Sequence, residues 1–379
     1  MSPTTEKQII IDDAVPYAEA MFSHLGNIIL MPGRDINADS VRQADALIVR
    51  SRTQVNAELL AQSRVKFVGS TVVGLDHVDQ AWLSQQGIHF YSAQGCNANS
   101  VAEYIIAGLL QLAQDHHFTL SQKTLGIIGV GHVGKLVHIK AQALGINCLL
   151  NDPPRARIEG STKFTELNTL LTEADILTVH TPLTNDGIDP TYQLLNAENM
   201  ALLKPNVIII NAARGGIIDE QAWCNTPTLA NIIDCWDNEP FINADLYAKA
   251  DYATPHIAGH SLEAKVNGSG MVYQQLCQFW QITPQTKWQA LLPKTPAPLE
   301  IPPHSTDTQT ILHQIIKQTY DLQLDDRAIR HADISAVHNQ FELYRRHYPI
   351  RREWPNYKVS SHTNTTLKPI LKTLGFDMD

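Results

Sequence analysis

The stretch Gly126-Ile-Ile-Gly-Val-Gly-His-Val-Gly134 decides the fold of this chain of 379 residues. A strand-like run at 124–130 leads into the pattern Gly129-x-Gly131-x-x-Gly134, and a helix-compatible run follows at 135–144. The first glycine permits a tight turn, the second lets backbone N–H groups approach a pyrophosphate, and the third lets helix and strand pack closely. The helix N-terminus adds unpaired N–H groups that favour phosphates. The stretch therefore predicts a dinucleotide-binding unit.

An acidic residue in the expected place supports this interpretation and predicts which dinucleotide binds. Asp152 ends the next apolar run, at 146–151. A carboxylate there can accept hydrogen bonds from a ribose diol and would repel a 2′-phosphate, which favours NAD over NADP. His132 and Val133, between the glycines, complete the predicted cofactor loop. A glycine pattern alone could be a structural turn, but strand, turn, helix, strand and acid in this order favour cofactor binding.

The composition limits the possible partners. With 44% hydrophobic and 18% charged residues and a formal net charge of −9, the chain has no general attraction for nucleic acid or anionic membranes. The five cysteines are scattered without a CxxC pair, which favours reduced thiols over a disulfide or zinc framework. No apolar run resembles a signal peptide or reaches membrane-spanning length. We therefore expect a cytoplasmic protein with no nucleic-acid or membrane partner.

Alternating strand and helix patterns predict an α/β fold with two Rossmann-like, doubly wound parallel-sheet domains. Candidate strands lie at 8–12, 46–49, 66–69, 88–91, 176–179, 207–211, 230–234 and 252–254. We expect a discontinuous, flavodoxin-like substrate-binding domain at 1–95 and 260–290, around an NAD-binding Rossmann domain at 96–259. A proline-rich linker at 291–307 leads to a small C-terminal α+β extension at 308–379. The extension is too small to hold much core alone and is expected to form a homodimer.

Three polar residues follow successive candidate strands: Arg214, Glu239 and His256. Ligands of open α/β sheets bind beyond the carboxyl ends of strands, so these side chains should converge beside the nicotinamide. A histidine can take the hydroxyl proton while a secondary alcohol loses hydride, and a carboxylate can hold the far ring nitrogen. An arginine can bind a carboxylate and polarise the developing carbonyl. The set predicts oxidation of a secondary alcohol to a ketone.

The glycine pattern, these three spaced residues and the segment Gly69-Ser-Thr-Val-Val-Gly-Leu-Asp-His-Val-Asp79 resemble the D-isomer-specific 2-hydroxyacid dehydrogenases. The segments Asn151-Asp-Pro-Pro-Arg155, His256-Ile-Ala-Gly-His-Ser-Leu-Glu263 and Arg351-Arg-Glu-Trp354 narrow the resemblance to family members that act on a phosphorylated 2-hydroxy acid. The resemblance covers essentially the whole chain. It implies an NAD-dependent dehydrogenase of such an acid.

The resemblance also implies roles for individual positions. Arg214, Glu239 and His256 fall at the catalytic positions, with His256 as the proton donor and acceptor. Further NAD-binding positions are occupied by Asp152, Thr181, Ala212, Ala213, Arg214, Asp234 and Gly259. Substrate-binding positions fall on Ser51, Ser70, Val72, Gly74 and His260. Val72 stands where a threonine is expected and His260 where a tyrosine is expected, two departures that bear on substrate affinity.

Two further patterns each allow two interpretations. Arg351 and Arg352 can be an ordinary exposed basic pair, or one of them can reach the substrate phosphate across a dimer interface, since a phosphorylated substrate needs extra cationic donors. His256 and His260 have the spacing of a helical zinc pair, but Pro255 and Gly259 argue against a regular helix there. No metal site is predicted.

Three functions therefore remain open from the sequence. The favoured one is NAD-dependent oxidation of a phosphorylated 2-hydroxy acid. The same chemistry on another D-2-hydroxy acid, such as 3-phosphoglycerate, is the nearest alternative. A nonenzymatic NAD(H)-sensing protein, similar to corepressors that resemble this family, is the alternative from another class. The lack of an obvious disordered regulatory tail weakens that last interpretation.

Overall fold

The structure is a computed structural model, and it describes residues 6–294, 297–300, 307–331, 334–359 and 366–378. The chain divides into two compact units. The first contains Met1–Asn97 and Ser261–Lys294, and the second contains Ala98–His260 and Thr295–Asp379. The C-terminal extension, set apart as a domain in the sequence analysis, is thus grouped with the nucleotide-binding part of the chain. Of the proline-rich linker, residues 295–296 and 301–306 lie outside the described residues.

The strands pair in parallel throughout the described residues. In chain order they are β1 Gln8–Asp12, β2 Asn27–Met31, β3 Ala46–Val49, β4 Phe67–Ser70, β5 His89–Ser92, β6 Thr124–Ile128, β7 Asn147–Asn151, β8 Ile176–Val179, β9 Val207–Asn211, β10 Thr228–Ile233, β11 Tyr252–Ala253, β12 Lys358–Val359 and β13 Asp377–Met378. The two sheets and their connecting helices confirm the predicted α/β class.

The helices lie between these strands and in the C-terminal extension. In chain order they are α1 Ala18–Phe22, α2 Ala38–Val41, α3 Ala57–Leu60, α4 Gln80–Gln85, α5 Ala98–Asp115, α6 His132–Ala143, α7 Pro153–Glu159, α8 Leu167–Glu173, α9 Ala197–Met200, α10 Glu220–Asn225, α11 Ala244–Lys249, α12 Leu262–Trp280, α13 Thr308–Thr319, α14 Leu322–Arg330, α15 Val337–Arg346 and α16 Leu367–Leu374. Within the described ranges, no helix combines the length and apolar character needed to cross a membrane.

The first unit is built on a five-stranded sheet in the order β2-β1-β3-β4-β5. This is the flavodoxin-like order, and its helices cover both faces of the sheet. Helix α12 returns the chain to this unit and lies close against β4. A Cβ on Gly69 would be 2.3 Å from Cγ1 of Val272, so a glycine is needed for this close approach.

The second unit contains a six-stranded sheet in the order β11-β10-β9-β8-β6-β7. The strand order reverses between β6 and β8, which creates the switch point where open α/β sheets bind ligands. Strand β9, for example, is apolar except for its last residue and is buried along its whole length. Such runs are typical of parallel strands covered on both faces.

The C-terminal extension packs on two helices of the nucleotide-binding part of the unit. Helix α13 contacts α5, and helix α16 contacts α6. Strands β12 and β13 form a separate two-stranded sheet within the extension. Beside them, the ring of Trp354 stacks on that of Phe376 at a centroid distance of 5.3 Å. The apolar side chains of the extension join both hydrophobic clusters of the unit: Ile315, Trp354 and Leu371 join one, and Ile329, Val337 and Phe341 join the other. This shared core explains why the extension does not form a separate compact unit.

Candidate active site

The glycine loop joins β6 to α6 and has the shape that a pyrophosphate requires. Gly129 has φ +86°, a left-handed conformation that favours glycine. A Cβ on Gly134 would lie 2.0 Å from the carbonyl oxygen of Gly129, whereas a Cβ on Gly131 would meet nothing within 4 Å. Space therefore remains open at Gly131, beside the N–H groups of His132 and Val133 in the first turn of α6. These first-turn N–H groups have no acceptor within the helix.

Asp152 connects this loop to the end of β7. Its Oδ2 accepts a hydrogen bond from the backbone N–H of Val130 at 2.8 Å, and its Oδ1 accepts one from Arg155 N–H at 3.1 Å as the cap of α7. Each carboxylate oxygen can accept more than one hydrogen bond, so capacity remains for a ribose diol. Asp152 therefore holds the glycine loop in shape and places a negative charge beside it.

Two buried polar atoms lie on the other side of the glycine loop, just after β8. The Nδ1 of His180 and the Oγ1 of Thr181 have no hydrogen-bond partner among the described residues. They are next to the loop, since a Cβ on Gly129 would be 2.9 Å from the Thr181 backbone nitrogen. Burial lowers the pKa of His180 to about 3, which keeps the ring neutral. Unpaired buried polar atoms beside an open cradle fit a nucleotide cofactor with many hydroxyl and amide groups.

The three expected catalytic residues follow three neighbouring strands of the sheet. Arg214 follows β9, Glu239 follows β10 and His256 follows β11. The first two loops are in close contact, because a Cβ on Gly215 would be 2.0 Å from the carbonyl oxygen of Trp236. Ala212 and Ala213, which precede Arg214, are buried. The arginine's NH1 donates a hydrogen bond to the carbonyl oxygen of Ala213 at 2.7 Å.

Glu239 and His256 form a hydrogen-bonded pair. The Nδ1 of His256 lies 2.8 Å from Oε2 of Glu239, and Oε1 of Glu239 accepts the Trp236 N–H at 2.8 Å. Burial by itself raises the pKa of the Glu239 carboxyl. The opposite and larger effect comes from the charge and hydrogen bond of His256, from the Trp236 N–H and from the charge of Arg345, so the pKa lies below its ordinary value. The carboxyl is thus held in its ionised form beside the imidazole, an arrangement that orients the ring and stabilises its protonated state.

Asp234 supports the loop that carries His256. Its carboxylate accepts hydrogen bonds from Thr254 Oγ1 and Ile257 N–H, both at 2.7 Å, and from Ala258 N–H at 3.0 Å. His256 has φ +54°, a left-handed conformation that is unusual for a residue with a side chain. The backbone N–H groups of Ile257 and Ala258, bonded to Asp234, hold this turn. Asp234 was expected at an NAD-binding position. In the structure its carboxylate is buried and accepts hydrogen bonds from the His256 loop.

Ligand atoms of Cys235, Glu239 and His256 lie within 4.8 Å of one another, a grouping that could hold a metal ion. Burial raises the pKa of the Cys235 thiol well above its ordinary value, with Asp234 and Glu239 adding to the shift. The thiolate, not the thiol, is the metal ligand. The carboxylate and imidazole of this group are already hydrogen-bonded to each other. The arrangement therefore favours proton transfer over metal binding.

The expected substrate residues are distributed over both units. Ser51 is exposed and Ser70 is buried, with its hydroxyl 3.4 Å from the carbonyl oxygen of Val72. Val72 and Gly74 are half-buried. These four residues belong to the first unit, and His260 belongs to the second. In the second unit the His260 and Tyr348 rings pack edge to face, with their centroids 5.8 Å apart.

Arg351 and Arg352 are not the ordinary exposed basic pair of the first interpretation, and their contact with a substrate phosphate stays a prediction. Arg351 is 6% exposed and Arg352 is 8% exposed. The guanidinium of Arg351 donates to the carbonyl oxygens of Ser100 and Ala258 and lies over the ring of Tyr320 at 4.6 Å. Arg352 donates to Asn356 Oδ1 at 2.8 Å. Both side chains are part of the packing of the extension, which withdraws them from the surface.

Two contributors to the site are absent from the sequence analysis. One is the support that Asp234 gives to the His256 loop, and the other is Arg345, whose charge reaches Glu239 from α15. Arg345 is one of several arginines in a basic stretch. No local pattern distinguishes it, because its proximity to Glu239 depends on how the extension packs.

Comparison with known proteins agrees with this geometry. Residues 99–258 match the model of the D-isomer specific 2-hydroxyacid dehydrogenase, NAD binding domain. Residues 291–375 match a domain of unknown function. The chain is 57% identical over 375 residues to the erythronate-4-phosphate dehydrogenase of Hydrogenovibrio crunogenus, covering 99% of this chain and 100% of that one. The protein of the same name from Proteus mirabilis is 42% identical over 374 residues, covering 98% and 99%.

A solved structure supports the fold. The NAD⁺-bound 3-phosphoglycerate dehydrogenase of Entamoeba histolytica aligns with a TM-score of 0.63 at 23% identity, covering 73% of this chain and 96% of that one. The fold and the comparisons define an NAD-dependent dehydrogenase with two Rossmann-like domains. The chain belongs to the D-isomer-specific 2-hydroxyacid dehydrogenases and, within them, to the erythronate-4-phosphate dehydrogenase family.

Proposed function

We propose that this chain oxidises 4-phospho-D-erythronate to 2-oxo-3-hydroxy-4-phosphobutanoate with NAD, a step in pyridoxal phosphate (vitamin B6) biosynthesis. The observation that carries the proposal is the hydrogen-bonded His256–Glu239 pair at adjacent strand ends of an NAD-binding sheet. The substrate follows from the near-complete similarity to proteins named erythronate-4-phosphate dehydrogenase. A hydroxy acid of this kind needs a base for its C2 hydroxyl and a cation for its carboxylate.

The residues of the chain divide these tasks. Because Glu239 occupies the Nδ1 side of the His256 ring, Nε2 is the nitrogen that takes the C2 hydroxyl proton. The ionised Glu239 then stabilises the imidazolium that forms. Arg214 binds the substrate carboxylate and polarises the developing C2 carbonyl. In the reverse direction, His256 returns the proton to the carbonyl oxygen.

The cofactor residues are assigned from the same sheet. The open space at Gly131 and the first turn of α6 hold the pyrophosphate, and Asp152 holds the adenosine ribose. Thr181 and His180 offer buried polar atoms to the remainder of the dinucleotide. Bound NAD would supply the acceptor for the hydride that leaves C2. Ser51 and the loop at 70–74 in the first unit are proposed to hold the substrate.

A substrate panel tests this proposal. Purified protein is given NAD with 4-phospho-D-erythronate, D-erythronate, 3-phosphoglycerate or D-lactate, and NADH formation is followed by absorbance. We expect 4-phospho-D-erythronate to exceed each other acid in kcat/KM by at least ~100-fold, about 2.7 kcal/mol of transition-state discrimination. Higher activity with 3-phosphoglycerate would reassign the substrate. NADH binding without turnover of any acid would favour the sensing function.

A homodimer and a cytoplasmic location complete the proposal. The extension exposes the large apolar side chains of Leu324, Leu343 and Ile350, at 60%, 53% and 78%, which supports an interface there. All five cysteines are free thiols, as expected in a reducing compartment. Light scattering after size exclusion checks the dimer: Ile350→Asp should shift the protein towards monomer. If the natural chain already has the mass of a single chain in solution, and Ile350→Asp has the same mass, the dimer is refuted.

A further inference from the structure

Three tyrosines of the C-terminal extension surround one buried carboxylate. Asp325 of α14 is 3% exposed, and it accepts hydrogen bonds from three hydroxyl groups. The donors are Tyr320 at 2.7 Å, Tyr344 at 2.6 Å and Tyr348 at 2.9 Å. We call these four residues the tyrosine cluster. Because a buried carboxylate is costly without such donors, the three hydroxyl groups are held around it.

Tyr348 of this cluster contacts the loop that carries the proposed base. Its ring packs edge to face on His260, with an interplanar angle of 81°. His260 closes the turn that begins at His256, since its N–H donates to the carbonyl oxygen of Ile257 at 2.8 Å. The Tyr344 ring packs on Tyr348 in turn, at a centroid distance of 5.6 Å. The extension therefore contacts the His260 side chain directly.

A second contact from the extension holds the backbone of the same loop. Arg351 donates a hydrogen bond to the carbonyl oxygen of Ala258. Its guanidinium lies over the Tyr320 ring at 4.6 Å, and the Tyr320 hydroxyl is bonded to Asp325. The tyrosine cluster thus supports two contacts with the loop, one at Ala258 and one at His260.

The backbone contacts and the ring contact constrain His260 in different ways. The hydrogen bonds to Asp234 and from Arg351 hold the main chain of the turn, but they do not select a rotamer for the side chain. An imidazole rotates about χ1 and χ2 unless neighbouring groups restrict it. The His260 ring is half-buried and has the Tyr348 ring packed against it. Since aromatic rings prefer a defined mutual geometry, this contact favours one orientation of the imidazole.

We propose that Tyr348 is a positioning residue for the reaction: it sets the orientation in which the His260 ring binds the hydroxy acid, and Asp325 holds the tyrosine in place. This inference rests on the proposed function and on the substrate-binding position implied for His260. It assigns a task to the segment that matches a domain of unknown function. An imidazole already held in one orientation binds substrate without losing further rotamer freedom. Because His256, not His260, transfers the proton, loss of this orientation should weaken substrate binding more than the chemical step.

The test compares variants that keep or remove the ring. Tyr348→Leu removes it, Tyr348→Phe keeps it without the hydroxyl, and His260→Ala removes the imidazole on which it packs. Tyr344→Phe is the matched control, since it takes a hydroxyl from the same carboxylate and leaves the Tyr348 ring in place. Circular dichroism and thermal unfolding establish that each variant is folded, and NADH titration gives the concentration of binding sites.

The expected result is a rise in KM with little change in kcat. The KM for 4-phospho-D-erythronate should rise by about 5-fold or more in Tyr348→Leu and by about 2-fold in Tyr348→Phe, while kcat per NADH-binding site stays within about 2-fold. Combined with His260→Ala, Tyr348→Leu should raise KM no further, because the tyrosine acts through that ring. Tyr344→Phe should keep the KM of the natural chain.

Three results would overturn the inference: an unchanged KM in both Tyr348 variants, an equal rise in Tyr344→Phe, or the same rise from Tyr348→Leu with and without the His260 ring. A second readout does not need turnover. In protein with ¹³C-labelled histidine rings, the His260 signal, assigned by its loss in His260→Ala, should report faster ring motion in Tyr348→Leu than in Tyr344→Phe. If no acid is turned over but the ring motion increases, the proposed function fails while the orienting contact stands. Unaltered ring motion would overturn the contact.

Discussion

The Nδ1 of His256 lies 2.8 Å from the Oε2 of Glu239, although the two residues follow different strands, β11 and β10. The backbone on the histidine side is held by Asp234, which accepts the N–H groups of Ile257 and Ala258. The pair is therefore pre-organised by the sheet. The Nδ1 nitrogen of the imidazole is bonded to the carboxylate, and the Nε2 nitrogen remains for the reaction.

This relationship predicts a graded effect of substitutions. His256→Ala removes the base and should lower kcat by about 10²–10⁴-fold. Glu239→Gln keeps an acceptor for Nδ1 but removes the anion, so its loss of kcat should be smaller. NADH affinity, measured by fluorescence, should change little in either variant. A His256→Ala protein that keeps its kcat would refute the assigned role.

The two glycines of the cofactor loop predict opposite outcomes for the same change. Gly134→Ala places a Cβ 2.0 Å from the Gly129 oxygen, so we expect a distorted loop and a lower Tm. Gly131→Ala meets nothing within 4 Å, so its loss of Tm should be smaller than that of Gly134→Ala. If the pyrophosphate occupies that space, NADH affinity should nevertheless fall by about 10-fold or more. Titration of NADH fluorescence and thermal unfolding separate the two effects, and an unaltered NADH affinity in Gly131→Ala would contradict the pyrophosphate assignment.

Asp152 predicts cofactor preference. Asp152→Asn removes the charge that opposes a 2′-phosphate, and its single side-chain oxygen can accept from either Val130 N–H or Arg155 N–H but not from both as the two carboxylate oxygens do. The ratio of NADPH to NADH affinity should rise by about 10-fold, and Tm should fall modestly because one backbone N–H loses its acceptor. Binding titrations with both cofactors measure this ratio. Unchanged discrimination would mean that another group excludes the 2′-phosphate.

A buried acidic pair predicts how stability depends on pH. Asn99 Nδ2 donates to Glu103 and to Glu353, each at 2.8 Å, inside the second unit. Burial, with the charge of Glu353, raises the pKa of Glu103 to about 8 from its ordinary 4.5. Because the pKa is raised on folding, the contribution of this group is fully present below about pH 4.5 and is lost as pH rises to about 8.

Replacing this carboxyl should remove that part of the pH dependence. Glu103→Gln keeps an acceptor for the Trp354 N–H, now 2.9 Å from Glu103 Oε1, without a group that ionises. Between pH 5 and 8 the Tm of the natural chain should fall more steeply, by ~3 °C or more, than that of the variant. Glu173→Gln, at an exposed carboxyl that ends α8, is the control. Parallel curves for all three proteins would show that Glu103 does not titrate in this range.

Much of the fold could be predicted from the sequence, because buried parallel strands are continuous apolar runs bounded by turn residues. The candidate strands at 8–12, 46–49, 176–179 and 207–211 coincide with β1, β3, β8 and β9. Strand β2 was not predicted. It lies at the edge of its sheet and is partly exposed, so its short apolar run between Gly26 and Pro32 resembles a loop as much as a strand.

The placement of candidate site residues could be predicted where they follow strands and not in the C-terminal extension. Arg214, Glu239 and His256 lie at neighbouring strand ends, as the order of the sheet requires. Arg351 and Arg352 were interpreted from their charge and from the family resemblance, and both side chains are buried in the second unit. Charge indicates which ligand a side chain can bind, but burial decides whether the side chain can reach it.

The sequence by itself determined the cofactor loop, the acidic residue that follows it and the chemical types of the catalytic groups. These features depend on local backbone geometry and on residue order, which short motifs encode. Only the tertiary structure decided that His256 pairs with Glu239 and that Asp234 supports the histidine loop. Such juxtapositions depend on strand order and helix packing, which bring together groups far apart in the chain and set the dielectric in which their charges act.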